Sequence, residues 1–174
     1  MRTRLFPLLV LVLLVLGSCG SPEKPKKTEL TKDQVNALSV QMNTWDADRQ
    51  QDEIDQYISH HGWDMKETES GVFYMSMTAG SGDSARTGQT ASVTYEIYLL
   101  DGTKCYTSGD TPKDIVIGED YIESGLHEGL LHMHVGEQMR FILPSHLAHG
   151  LTGDQDKIPP RSSVVYEVKL LGLH

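Results

Sequence analysis

The chain has 174 residues and a formal charge of −9, from 24 acidic against 15 basic side chains. That length supports one domain with a substantial core. Such an acidic balance, without a basic patch, excludes nucleic-acid binding, which depends on neutralising phosphates.

The N-terminus, "MRTRLFPLLVLVLLVLGSCG", places Arg2 and Arg4 before an apolar run from Leu5 to Leu16. A membrane-spanning helix needs about 20 apolar residues, so residues 1–18 are expected to be a signal peptide, not a stable anchor. Leu16-Gly17-Ser18-Cys19 resembles the bacterial lipobox, which predicts cleavage before Cys19 and lipid on its thiol. The mature protein would then be tied to a membrane of the cell envelope, with the outer membrane favoured. Residues 19–29, rich in proline, glycine and lysine, have the composition of a flexible tether. Cleavage would leave 156 residues and, with Arg2 and Arg4 gone, take the charge from −9 to −11. With Cys19 lipidated, Cys105 is the one thiol left and no intramolecular disulfide can form.

Residues 30–62 read as a helical arm. Thr31 with Gln34 fits a capping box, Val35, Leu38, Met42 and Trp45 follow at helical spacing, and Gly62 suits the left-handed cap. The polar stretch "DADRQQDE" separates this group from Ile54, Tyr57 and Ile58, so one long helix and two short ones both fit. The arm is expected either to pack on the domain behind it or to serve as a homodimerisation arm or spacer. Residues 63–87 supply a leading strand, "GVFYMSM", and a polar loop. Strands are then expected on both sides of Asp101-Gly102, a strong hairpin signal, in "DIVIG", in "EQMRFILP" and in "SSVVYEVKLLGL". The only helical stretch in this half is "YIESGLHEGLLHM". A helical arm followed by strands around one short helix predicts an α+β fold with an antiparallel sheet.

Eight histidines raise the question of a metal. "HEGLLH" looks close to the zinc-protease signature, which needs histidines four apart on one helix face. His127 and His132 are five apart, about 140° round a helix, and point away from each other. No cysteine or carboxylate joins the other histidines at metal-ligand spacing, so no metal or other cofactor is expected. Cys105 has no basic partner nearby and reads as a small core residue. Without a G-x-S-x-G elbow or a phosphate-cradling glycine loop, the remaining option is a site that works by shape and desolvation.

From about Gly88 to Leu173 the motifs "VTYEIYLLDG", "DIVIG", "GLHEGLLHMHVGE", "FILPSHLAHG" and "IPPRSSVVYEVKLLGL" follow one another in order. In that succession the segment resembles an FKBP-type peptidyl-prolyl cis-trans isomerase domain, here residues 88–174. With its helical arm and lipobox, the chain looks like the lipoprotein members of that family in Bacteroidetes-type bacteria. The resemblance implies a sheet of five or six antiparallel strands curled round a short helix, with an apolar pocket between them. It also implies the partners, which would be folding or unfolded polypeptides carrying X-Pro bonds.

Carried over motif by motif, the resemblance lines that pocket with Tyr95, Ile115, Ile122, Leu126, Ile158 and Tyr166. Leu126 stands where the family has a pocket-floor tryptophan. Either Ile122 or Glu123 supplies the backbone N–H that binds the substrate carbonyl. Cys105-Tyr106 replaces the family's Phe-Asp pair; strand alternation would aim Tyr106 to the other face. His149 replaces the tyrosine of the A-Y-G turn and is placed on the pocket rim, where its ring N–H could donate as the phenol does; His146 is then a solvent-facing turn residue. The flap beyond it carries Asp154 and Lys157. These departures keep a second reading alive, a catalytically weak or silent module that works as a chaperone or assembly factor.

Overall fold

The computed structural model describes residues 30–174, so the predicted signal peptide, the tether and Cys19 lie outside the described residues. Helix α1 runs unbroken over Lys32–His61. The Thr31 hydroxyl accepts the Gln34 N–H and the Gln34 side chain accepts the Thr31 N–H, closing the capping box, and Gly62 ends the helix at φ 65°. Of the two arrangements the sequence allowed, one long helix forms, because the polar stretch is laced internally. Arg49 pairs with Asp46 at 2.7 Å and with Glu53 one turn on, and Gln50 Nε2 donates to Asp46 at 2.9 Å.

The strands are β1 (Lys66–Glu67), β2 (Phe73–Thr78), β3 (Thr90–Leu99), β4 (Lys104–Thr107), β5 (Lys113–Val116), β6 (Gln138–Leu143) and β7 (Val164–Leu173), with α2 (Ser124–Leu130) between β5 and β6. They form one antiparallel sheet in the order β1-β2-β6-β7-β3-β4, with β5 also paired to β3. The sheet therefore has seven strands where five or six were expected. β2 is the leading strand read from "GVFYMSM", and β1, which pairs with it, was not read from the sequence. Phe73 is buried and pairs with Ile142 on β6, so its burial draws β2 into the sheet. At the other edge the predicted hairpin forms: the Leu99 N–H donates to Thr103, and the Thr103 N–H donates to the Asp101 carboxylate.

Period-two alternation divides the sheet into two faces. On the inner face Ile97, Tyr166 and Phe141 stand side by side across β3, β7 and β6, within the main core. Helix α2 lies against that face at a distance only glycine allows. A Cβ at Gly129 would sit 2.9 Å from the Phe141 ring, and one at Gly125 would sit 2.9 Å from Leu143. On the outer face Ile142, Val165 and Phe73 form a smaller core with Ile54 of α1, closed by Tyr57, Ile58 and Trp63.

The arm thus docks through its C-terminal half, where Asp46, Gln50 and Ile54 are buried at four-residue spacing. The stripe that the helical period singled out behaves differently. Val35, Leu38, Met42 and Trp45 are all exposed, Trp45 at 65 %. The first turns of α1 have no sheet beneath them, so the apolar face is left uncovered while a partly polar one is buried.

Candidate active site

Between the curled sheet and α2 opens a cleft of about 370 Å³, within the range of small-ligand sites. Its base is Leu126 of α2 and Tyr166 of β7, both buried. Tyr95 and Ile97, on the same face of β3, form one wall, with the Tyr95 and Tyr166 rings tilted at 47° and centred 6.4 Å apart. Ile115 of β5 and Ile122 of the β5–α2 turn form another, and Tyr106, His149, Glu123 and Asp154 stand round the opening with Asp114 and Asp120. A hollow of about 400 Å³ between α1 and residues 145–151 is slightly larger but is lined by no tyrosine, phenylalanine or tryptophan. The Tyr95 cleft is the one shaped to grip a ring.

Eight of the nine side chains the resemblance named for the pocket meet here: Tyr95, Tyr106, Ile115, Ile122, Glu123, Leu126, His149 and Tyr166. Ile158 does not. It is 1 % exposed and packs in the main core behind the flap, with its N–H donating to Asp154. Tyr106 departs from the alternation argument, since its ring turns to the cleft while Cys105 fills the core. The edge strand β4 makes room for both, because the flap folds over it: Lys157 Nζ donates to the Cys105 carbonyl at 3.0 Å and lies over the Tyr106 ring. Burial pushes the Cys105 thiol up, away from nucleophilic use. Ile97 was missed in the sequence, although its two-residue spacing from Tyr95 puts it on the same face.

The flap is braced by a single carboxylate. Asp154 accepts the Tyr106 hydroxyl, the Asp156 N–H at 2.9 Å and the Ile158 N–H at 2.8 Å. Burial alone would raise its pKa, yet these bonds outweigh burial and hold it at about 2. The same Asp154 bond drives the Tyr106 phenol well above its ordinary value. The turn needs glycine at 153, with φ 65° and a Cβ position only 2.1 Å from the Ile158 carbonyl oxygen.

Of the two candidate backbone donors, the Ile122 N–H is already bonded to Asp120 at 3.0 Å. The Glu123 N–H goes to no backbone carbonyl and stands at the cap of α2. Its neighbour is its own carboxylate, so of the two N–H groups it is the one not committed to a backbone carbonyl. The Glu123 side chain lies 3.0 Å from His149 Nε2. This nitrogen is shut from solvent without an aligned hydrogen bond, so the pair is a charge contact. Glu123 lifts the pKa of His149, against the pull of burial. Burial pushes the Glu123 carboxyl up, but His149, its own backbone N–H and Tyr166 together outweigh burial and the net direction is down. The resulting ion pair stands at the cleft opening, where the resemblance placed a phenol at position 149.

Other histidines have structural partners. His127 accepts the Gly118 N–H at Nδ1, and its Nε2 lies 2.9 Å from the Asp120 carbonyl, bracing the turn that carries Ile122 and Glu123. His132 stacks on Tyr74, and His134 is 3.4 Å from Glu137. His146 is exposed in the turn, as its position suggested. Among the described residues, no three potential metal ligands cluster.

The family model for FKBP-type peptidyl-prolyl cis-trans isomerase matches residues 82–171, more than half of the chain. The chain belongs to the FKBP-type peptidyl-prolyl cis-trans isomerase family. Among its relatives, FkpA of Aeromonas hydrophila is 30 % identical over 141 residues, covering 80 % of this chain and 52 % of that protein. FKBP10 of Mus musculus is 35 % identical over 91 residues, 51 % of this chain and 16 % of the relative. The chain therefore spans about half or less of the length of both. The crystal structure of FkpA from Escherichia coli superposes with a TM-score of 0.63 at 23 % identity, covering 83 % of this chain and 74 % of that one, a likeness of fold. Since the match begins at residue 82, it reaches upstream of the Gly88 start read from the motifs.

Proposed function

We propose that this FKBP-family chain catalyses cis-trans isomerisation of X-Pro bonds in exported polypeptides. The observation that carries the reading is the open cleft, about 370 Å³ of space not filled by the protein's own side chains and walled by Tyr95, Leu126 and Tyr166. An X-Pro bond has only a small trans preference but isomerises over tens to hundreds of seconds, because amide resonance sets a barrier of about 18–20 kcal/mol. The resonance form places charge on the carbonyl oxygen, where water stabilises it. A proline ring held between Tyr95, Leu126 and Tyr166 leaves water behind, which favours the less dipolar twisted amide. Differential binding of that twisted state lowers the barrier without a proton transfer. The Glu123 N–H would hold the carbonyl, and the Tyr106–Asp154 bond would keep the flap wall in place. Mature protein should accelerate cis-to-trans conversion of an X-Pro peptide in a protease-coupled assay. A rate equal to buffer would overturn the reading and leave a binding module.

Cys19 would carry lipid and hold the domain at the outer membrane of a bacterial envelope, which the lipobox-like sequence supports. Cys19→Ala should move the protein from the membrane to the soluble fraction, and unchanged partitioning would reject lipidation. The uncovered stripe of Val35, Leu38, Met42 and Trp45 supports a homodimer through the arm.

A further inference from the structure

Helix α1 reaches the cleft indirectly. The segment between β6 and β7, residues 144–163, carries His149 and Asp154 into the cleft on one long excursion. Its two ends return to the same side chain. The Ser145 N–H donates to Gln50 Oε1 at 2.7 Å, and the Ser163 hydroxyl donates to the same oxygen at 3.3 Å. Gln50 is 3 % exposed, and Ser145 and Ser163 are buried with it.

The other end of the Gln50 amide is also fixed, since Nε2 donates to Asp46, whose second partners are Arg49 and Arg161. Arg161 belongs to the same excursion and takes a left-handed φ of 57°, a conformation that L side chains adopt reluctantly. Within the excursion, the Gly150 N–H bonds back to Ser145 and the Arg161 N–H to Gly150, so a shift at either end reaches His149. A buried amide with both ends bonded is a well-determined anchor, and its removal would leave the Ser145 N–H unsatisfied.

We infer that Gln50 is a positioning residue for the cleft, so that the arm helix completes the isomerase site as well as leading to it. The inference rests on the isomerase reading for its catalytic consequence, but its structural content can be measured without any substrate. Gln50 does not line the cleft. It acts by fixing both ends of the excursion that carries His149 and Asp154.

The test compares Gln50→Leu with Ile54→Ala in the full mature chain. Ile54 loosens the same helix without bonding the excursion. Amide hydrogen exchange should rise roughly tenfold across 145–163 in Gln50→Leu, as expected when local hydrogen bonds are lost, with β3 and β7 unchanged. Ile54→Ala should not produce that local pattern. The kcat/KM for an X-Pro peptide should fall several-fold in Gln50→Leu and stay near wild type in Ile54→Ala. If Gln50→Leu does not fold, Ser163→Ala should give a smaller rise confined to the same segment. Exchange across 145–163 equal to wild type, or raised equally in the Ile54 variant, would overturn the inference. A wild-type chain without isomerase rate would overturn the functional reading alone, because the exchange result is obtained without substrate.

Discussion

Among individual residues, the pair of Glu123 and His149 most distinguishes this cleft from an apolar one. Its pH dependence follows from the two shifts. His149 is raised above its ordinary 6.5, so its share of stability is full below that value and lost as pH rises through the folded pKa. Glu123 is lowered below 4.5, so its share is full above that value and lost as pH falls through the folded pKa. The pair therefore stabilises most between those two ordinary values. Wild type should lose thermal stability relative to His149→Gln as the pH rises from about 6 to about 9. Parallel Tm profiles for the two proteins would reject the pair as a charged unit. Tyr95 and Tyr166 were legible because they stand in unbroken motifs, and Leu126 because the glycines around the substituted position keep the motif's spacing. The charge pair was not, since Glu123 and His149 are 26 positions apart and only folding brings them within 3.0 Å. Ile158 misled for the opposite reason: its motif is intact, but the flap turns its side chain into the core.

Two helices do different work at the scale of elements. The short α2 sits close to the sheet because Gly125 and Gly129 carry no side chain at its nearest approaches to Leu143 and Phe141. Gly129→Ala would drive a methyl into the Phe141 ring, and overpacking of this kind costs about 1–3 kcal/mol. Chemical denaturation should show that loss with an unchanged m-value, and a variant as stable as wild type would contradict the packing account. The long α1 was legible at its ends, where Thr31, Gln34 and Gly62 each carry a local signal. Its docked face was not, because Asp46 and Gln50 are polar residues that the hydrophobic period passes over. Their burial depends on partners in the excursion before β7, roughly a hundred residues downstream. Of the strands, β1 escaped the reading for a related reason, since two residues make too short a run for alternation to be seen.

At the scale of the whole molecule, α1 divides into a docked half and a bare one. Four apolar side chains from Val35 to Trp45, spaced to share one helical face and without cover, suit pairing with a second arm. Sedimentation of the mature chain should show a dimer that Trp45→Glu dissociates, while the variant keeps its isomerase rate. A monomeric wild type would reject the arm as a dimer contact.

The account as a whole depends on a prolyl ring entering the cleft and turning there. Two-dimensional exchange NMR on an X-Pro peptide with the labelled protein measures both at once. The account predicts faster cis-trans exchange of the peptide, with the largest protein shifts at Tyr95, Leu126 and Tyr166. Unchanged exchange, or acceleration accompanied by shifts elsewhere and none in the cleft, would contradict it.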